Sequence, residues 1–159
     1  MHTVADTNVL LSAYLFRNSS LKWLKEAADT GALTLVLDPL TAAELKRVLT
    51  YPKFGLTPSM QESVLLRIIV NAVVFSEISP ANTKLPICRD AADQKFLNLS
   101  SLAAQTYADI ALVTGDQDLL VLAGQCTFPI LKPIELQTRL ATMQANRVGH
   151  HNSQVKSHP

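Results

Sequence analysis

Hydrophobic residues occur in two kinds of run along this chain. Short continuous runs are typical of buried strands, and they predict strands at 3–5, 33–37, 73–75, 109–114 and 128–131. Longer runs with the three-to-four-residue spacing of a helix predict helices at 7–16, 21–30, 41–49, 59–72, 90–105, 116–123 and 133–143. Strands that alternate with helices indicate an α/β fold with a central parallel sheet covered on both faces.

The last part of the chain follows a different pattern. Residues 144–159 have no apolar periodicity, so we expect one domain at 1–143 followed by a flexible polar tail at 144–159. Three of the four histidines, His150, His151 and His158, fall in this tail. We interpret them as solvated side chains rather than as metal ligands.

The composition is that of a globular protein. Of 159 residues, 48% are hydrophobic and 17% are charged, which suits one domain with a sizeable core. The net charge of +1 gives no support for a broad nucleic-acid-binding face, but it allows a local one. Cys88 and Cys126 form no CxxC motif and are expected to be reduced thiols. Without a signal-peptide pattern or a membrane-length apolar run, we expect a cytoplasmic protein with no membrane segment.

Acidic residues follow the predicted strands at the points where the strands end. They are Asp6, Glu44, Asp90, Asp93, Asp116 and Asp118. Because the carboxyl ends of parallel strands open on one edge of the sheet, the loops that carry these acids are expected to share one space.

Each acid also has a simpler explanation as part of a helix cap. Asp6 and Asp116 precede predicted helices in the position of an N-cap. Thr41 and Glu44 have the spacing of a capping box, and the pair at 90 and 93 resembles a weaker one. Taken singly, each acid fits a structural role as well as a chemical one.

The set as a whole favours a metal site. Carboxylates that share one space repel one another and raise each other's pKa, which is costly unless a cation neutralises them. All-oxygen ligands favour a hard ion, Mg²⁺ or Mn²⁺, and Mg²⁺ pairs naturally with phosphate. The pattern therefore predicts metal-assisted hydrolysis of a phosphodiester.

Four segments, in this order, resemble those of the PIN-domain family. They are DTNVLLSA at 6–13, TAAEL at 41–45, CRDAADQKFLNLS at 88–100 and ADIALVTGDQDLL at 108–120. The similarity covers about residues 1–137 and is strongest with the VapC-like toxin ribonucleases of bacterial toxin–antitoxin modules. The resemblance implies a three-layer α/β/α sandwich and a divalent-metal-dependent endoribonuclease that acts on RNA.

The resemblance also assigns roles to individual residues. Four match the acids that bind the metal and catalyse the reaction: Asp6, Glu44, Asp93 and Asp116. Asn8 and Thr114 match polar positions that support the ligands, and Asp90 and Asp118 match accessory acids. Family members often carry a proline or a further aspartate at positions 91–92, where this chain has two alanines. The resemblance therefore does not decide whether the site holds one metal ion or two.

Basic and aromatic residues near the acids are candidates for holding RNA. The basic ones are Arg89, Lys95, Lys46 and Arg47, which would position phosphates or else be ordinary solvated side chains. Trp23 and Tyr14 would stack on bases or else belong to the core.

The family also implies protein partners. A cognate antitoxin would place a helix in an apolar groove near Tyr51, Phe54, Leu56 and Pro58, and the toxin would be a homodimer. The alternative is a catalytically inactive module that keeps the fold and binds RNA or protein. A phosphohydrolase of the haloacid dehalogenase type is disfavoured, because it needs a second aspartate where this chain has Asn8.

Overall fold

The computed structural model describes the backbone of residues 1–154 and the side chains of residues 1–146. Its strands are β1 (His2–Ala5), β2 (Thr34–Leu37), β3 (Ala72–Val74), β4 (Ile110–Val113) and β5 (Ile130–Leu131). Its α-helices are α1 (Thr7–Leu15), α2 (Lys22–Asp29), α3 (Pro39–Leu49), α4 (Pro58–Ile69), α5 (Gln94–Ala103), α6 (Gln117–Leu120) and α7 (Pro133–Gln154). Short 3₁₀ turns occupy Pro52–Phe54 and Ala91–Asp93.

The five strands form one parallel sheet in the order β3-β2-β1-β4-β5. β1 lies at the centre, with His2 opposite Thr34 of β2 and Ala5 opposite Val113 of β4. The chain therefore leaves β1 for strands on one side and reaches β4 and β5 on the other. This arrangement confirms the predicted parallel sheet.

Side chains of the sheet alternate between two hydrophobic cores, as the two-residue period of a strand requires. Ala5 and Val113 point into the core beneath α1, α2, α3, α4 and α7. Val4 and Leu112 point into the core beneath α5 and α6, which is built around the buried ring of Phe96. Helices on both faces of the sheet confirm the three-layer α/β/α sandwich.

The start of α3 differs from the prediction. The helix begins at Pro39, two residues before the predicted start, because the buried Asp38 caps it by accepting a 2.9 Å bond from the Thr41 N–H. The Thr41 hydroxyl in turn accepts a 3.0 Å bond from the Asp38 N–H. The predicted capping box of Thr41 and Glu44 is therefore wrong, and Glu44 lies in the second turn with other contacts.

Two other helices differ from their predicted bounds. The helix predicted for 90–105 is interrupted, since Asp90 caps a 3₁₀ turn and α5 begins only at Gln94. The last helix, predicted to end at 143, continues to Gln154, so that the first part of the predicted tail is helical. The side chains of His150 and His151, and all of His158, lie outside the described residues, and their predicted solvation stays a prediction. Within the described part of the chain, no helix has both the length and the apolarity needed to cross a membrane.

Candidate active site

The acids lie beside the ends of β1 and β4, where the connections between strands change from one side of the sheet to the other. Asp6 directly follows β1, and Asp116 follows the neighbouring strand β4 after two residues, Thr114 and Gly115. Connections from β1 run to one side of the sheet and β4 lies on the other, which makes this edge a topological switch point. Open parallel sheets bind their ligands in the crevice at such a point.

Asp6 is fixed by contacts to both strands. It is the N-cap of α1, where one carboxylate oxygen accepts a 2.8 Å bond from the Val9 N–H. The other oxygen accepts a short hydrogen bond from the Thr114 hydroxyl at the end of β4. Burial raises the pKa of Asp6, and the nearby charge of Asp116 adds to the rise, although the hydrogen bonds oppose it. The predicted cap is confirmed, and the side chain still faces the crevice.

A chain of hydrogen bonds continues along the loop after β4. The Thr114 hydroxyl accepts a 2.9 Å bond from the Asp116 N–H, so one buried hydroxyl connects Asp6 and Asp116. Asp116 caps the short helix α6 by accepting a 2.8 Å bond from the Asp118 N–H. Thr114 therefore contacts both residues, and its role in supporting metal ligands stays a prediction. Asn8, predicted to share this role, lines the crevice with an exposed side chain and forms no hydrogen bond to a carboxylate among the described side chains.

Asp93 completes a group of three acids at this edge. It ends the 3₁₀ turn before α5 and is half-buried. Burial, together with the charges of Asp90, Asp116 and Asp6, raises its pKa to about 6, although Lys95 lowers it. Asp116 and Asp6, from two other parts of the chain, are thus close enough for their charges to raise the pKa of Asp93.

Glu44 has hydrogen-bonding and ionic partners of its own. One carboxylate oxygen accepts a 2.9 Å bond from the Thr7 hydroxyl of α1, and the other forms an ion pair with the Lys95 ammonium group of α5. Lys95 also bonds to the backbone carbonyl of Ala92. The side chains of Lys95 and Glu44 are only 13% and 20% exposed. Sequence reasoning missed both Thr7 and this pairing, because no local pattern in the sequence connects α1, α3 and α5.

The four basic candidates occupy different places. Lys95 meets Glu44, and Arg89 forms a 2.9 Å ion pair with Asp118 beside the acids. Lys46 instead lines a groove between α3 and α4, and Arg47 bonds to the Tyr51 hydroxyl. The structure therefore brings two of the four basic residues to the acids.

A cleft of about 360 Å³ opens above Asp6 and Asp116. Its lining is completed by residues of α1, of the segment before α2, of the loop after β4 and of the start of α7: Asn8, Val9, Ser12, Leu21, Gly115 and Pro133. Ser12 and Gly115 were not predicted as site residues. The helical spacing of Asn8 and Ser12 places both on the face of α1 that the acids share, and this signal is visible in the sequence.

The donor chemistry of this edge fits a hard divalent cation. The acids offer only oxygen atoms. Burial first, and then the charges of neighbouring carboxylates, raise the pKa values of Asp6 and Asp93, and a cation would stabilise their ionised forms. Among the described side chains, however, no three His, Cys, Asp or Glu groups converge closely enough to hold one ion. Each of Asp6, Glu44 and Asp116 engages donors of the protein itself. The predicted four-ligand set stays a prediction.

Asp109, which directly precedes β4, lies at the edge of the sheet opposite these acids. Its carboxylate forms a 2.8 Å contact with His2 Nδ1 at the start of β1. Although burial raises the pKa of Asp109, bonds from His2 and the terminal ammonium group hold it below its ordinary value. This acid serves the fold and faces away from the cleft.

Comparisons with known proteins agree with this architecture. A sequence model of the PIN domain matches residues 2–118. The crystal structure of PAE2754 from Pyrobaculum aerophilum is similar at a TM-score of 0.54 and 19% identity, over 89% of this chain and 90% of that one. The structure of FitAB bound to an IR36 DNA fragment is similar at 0.50 and 15% identity, over 82% and 94%. None of the curated proteins matches the chain.

Proposed function

Because this chain belongs to the PIN-domain family, we propose that it is a divalent-metal-dependent endoribonuclease that hydrolyses RNA phosphodiester bonds. One observation carries the proposal. Asp6, Asp93 and Asp116 come from separate parts of the chain, yet the charge of Asp116 acts on both Asp6 and Asp93, and the charge of Asp6 acts on Asp93. A purely structural role for three acids would not need them to share one space.

The residues of the cleft have distinct parts in the proposed reaction. Asp6, Asp93 and Asp116 would hold Mg²⁺ or Mn²⁺, and Glu44 would join them on leaving Lys95. When bound, the ion activates a water molecule and stabilises charge on the leaving oxygen. Thr114 keeps Asp6 and Asp116 in fixed relation, since its hydroxyl bonds to both.

Two cations beside the acids would orient the scissile phosphate. Arg89 forms an ion pair with Asp118, and Lys95 forms one with Glu44. A phosphate would compete for these guanidinium and ammonium groups, because charge-assisted bonds to phosphate match those to carboxylate. Their proposed role is to bring the polyanion to an edge that would otherwise repel it.

We further propose that the protein is the toxin of a toxin–antitoxin pair in the cytoplasm. The likeness to FitAB bound to DNA supports a paired arrangement for this fold. A groove of about 370 Å³ between α3 and α4 offers a place for an antitoxin helix, with Leu49, Pro58, Leu65 and Leu66 in its lining. Pro58 belongs to the segment predicted for this purpose. A homodimer is proposed on the family resemblance.

A catalytically inactive binding module is the second candidate. The observation that favours it is the Lys95 ammonium group on Glu44, which neutralises one of the four predicted ligands. The two candidates differ in turnover, which makes them separable by a cleavage assay.

The test compares cleavage of a labelled RNA by the wild type and by Asp116→Asn over a range of Mg²⁺ and Mn²⁺ concentrations. Removal of a metal-binding carboxylate should lower the cleavage rate by about 100-fold or more. Asp109→Asn is the matched control, since this acid lies at the opposite edge of the sheet, and it should cleave like the wild type. Equal cleavage by all three proteins, or cleavage unaffected by a chelator, would overturn the proposal.

A further inference from the structure

The cleft above the acids does not end at Asp116. It continues into a second cleft of about 590 Å³, and the two share Leu21, Gly115 and Pro133 in their walls. The second cleft runs between the segment before α2, the loop after β4 and the first turns of α7. A chain that passes over the acids therefore meets this second cleft directly.

The lining of the second cleft differs in charge from that of the first. Among the side chains that the structure describes, Lys132 is the single charged residue of this lining, which contains no acid. The exposed ammonium group of Lys132 forms no ion pair with any carboxylate of the described residues, whereas Lys95 and Arg89 are both paired. Within this pair of clefts, Lys132 is the cation that is available to a phosphate without breaking an existing contact.

The remaining lining offers groups that suit nucleobases. Trp23, on α2, is half-buried with its ring packed against the core, and it lines the second cleft. The side-chain amides of Gln117 and Gln137 line the same cleft. An aromatic face, amide donors and acceptors, and one cation are the combination that holds single-stranded nucleic acid, where bases stack and the backbone meets positive charge.

We infer that the second cleft is a binding subsite for the single-stranded RNA whose scissile phosphate lies at the acids. Lys132 contacts a phosphate one or more nucleotides away, and Trp23 stacks on a base. The inference rests on the proposed ribonuclease function, because it is the shared wall with the acid cleft that identifies the occupant. The proposed subsite does not depend on the 5′-to-3′ direction of the bound strand or on its base sequence.

Trp23 makes the subsite directly observable, since it is the one tryptophan in the sequence. The Asp116→Asn variant is used so that the RNA is not cleaved. A single-stranded RNA of ten nucleotides, added to this variant in Mg²⁺ buffer, should quench the fluorescence of Trp23. Binding of the same RNA, measured by anisotropy, should be nearly unchanged in Trp23→Phe and weakened about tenfold in Trp23→Leu, because only phenylalanine keeps a stacking face. Melting temperatures of the variants report whether each is folded.

Lys132→Gln tests the phosphate contact. The plot of log affinity against log salt concentration should lose about 0.7 from its slope for one lost contact to a single strand. Lys53→Gln, on the 3₁₀ turn outside both clefts, should leave the slope unchanged. Equal slopes in both variants, or RNA binding without quenching of Trp23, would overturn the subsite. If the wild type cleaves RNA in that case, the proposed function survives; if it neither binds nor cleaves RNA, both fail.

Discussion

Asp6 shows how one side chain serves the fold and the site together. Its first oxygen caps α1 through Val9, and its second accepts from Thr114 on the neighbouring strand. The cap predicted from the sequence and the role at the acid cluster are therefore not alternatives. The same contacts that satisfy the start of the helix fix the carboxylate at the switch point, which is the preorganisation that a site on rigid elements needs.

Lys95 and Glu44, in contrast, form an ion pair that no local sequence pattern indicates. Replacing Lys95 by Gln leaves a mostly buried carboxylate with Thr7 as its remaining partner, and the free energy of unfolding should fall by about 1–3 kcal/mol. Glu44→Gln should cost a similar amount. The double variant should cost less than the sum, because neither charge is then left without its partner. Urea unfolding of the four proteins measures this, and strictly additive losses would show that the pair contributes no coupling.

Asp93 gives a pH dependence with a definite sign. Its pKa in the folded protein is about 6, above its ordinary value of 3.8. Between these values the folded protein keeps a proton that the unfolded chain has lost, so the free energy of unfolding falls as the pH rises through this window and then levels off. Asp93→Asn should lack this fall and should exceed the wild type in stability above pH 6, in chelator-treated buffer. Parallel pH profiles for the two proteins would contradict the assignment.

The capping residues of the helices are only partly predictable from the local sequence. The cap of α1 follows from the position of Asp6 after a short apolar run. The spacing of Thr41 and Glu44 favours a cap at Thr41, whereas α3 is capped by Asp38 with Pro39 at the first helical position. Asp38 is also held by the distant Ser79 N–H at 3.1 Å, a contact that only the tertiary fold supplies.

The difference between local and tertiary caps can be measured. Asp38→Ala removes bonds from Thr41 and Ser79 at a fully buried position and should lower the free energy of unfolding by about 2–3 kcal/mol. Thr57→Ala removes a single exposed 3.3 Å bond at the start of α4 and should cost about 0.5–1 kcal/mol. Thermal or urea unfolding compares the two variants. Equal losses would mean that Ser79 adds nothing to the cap.

The domain as a whole brings together acids that are far apart in the chain. Alternation of strands and helices predicted a parallel sheet, and the family resemblance supplied the sandwich. The strand order could not be predicted from periodicity, since hydrophobic runs do not say which strands are neighbours. It is the pairing of β1 with β4 that joins Asp6 to Thr114 and Asp116. The placement of these acids after strands was therefore predictable from the sequence, while the contacts of Glu44 with Thr7 and Lys95 required the folded chain.

The central claim is that the switch-point acids bind a divalent metal ion, and anomalous diffraction from crystals soaked in Mn²⁺ tests it most directly. The account predicts an anomalous peak bounded by Asp6, Asp93 and Asp116, with Glu44 either released from Lys95 or still paired, and no such peak in crystals of Asp116→Asn. The number of peaks would also decide between one ion and two. A wild-type crystal without a peak at this edge, or with the same peak when Asp116 is replaced, would contradict the account.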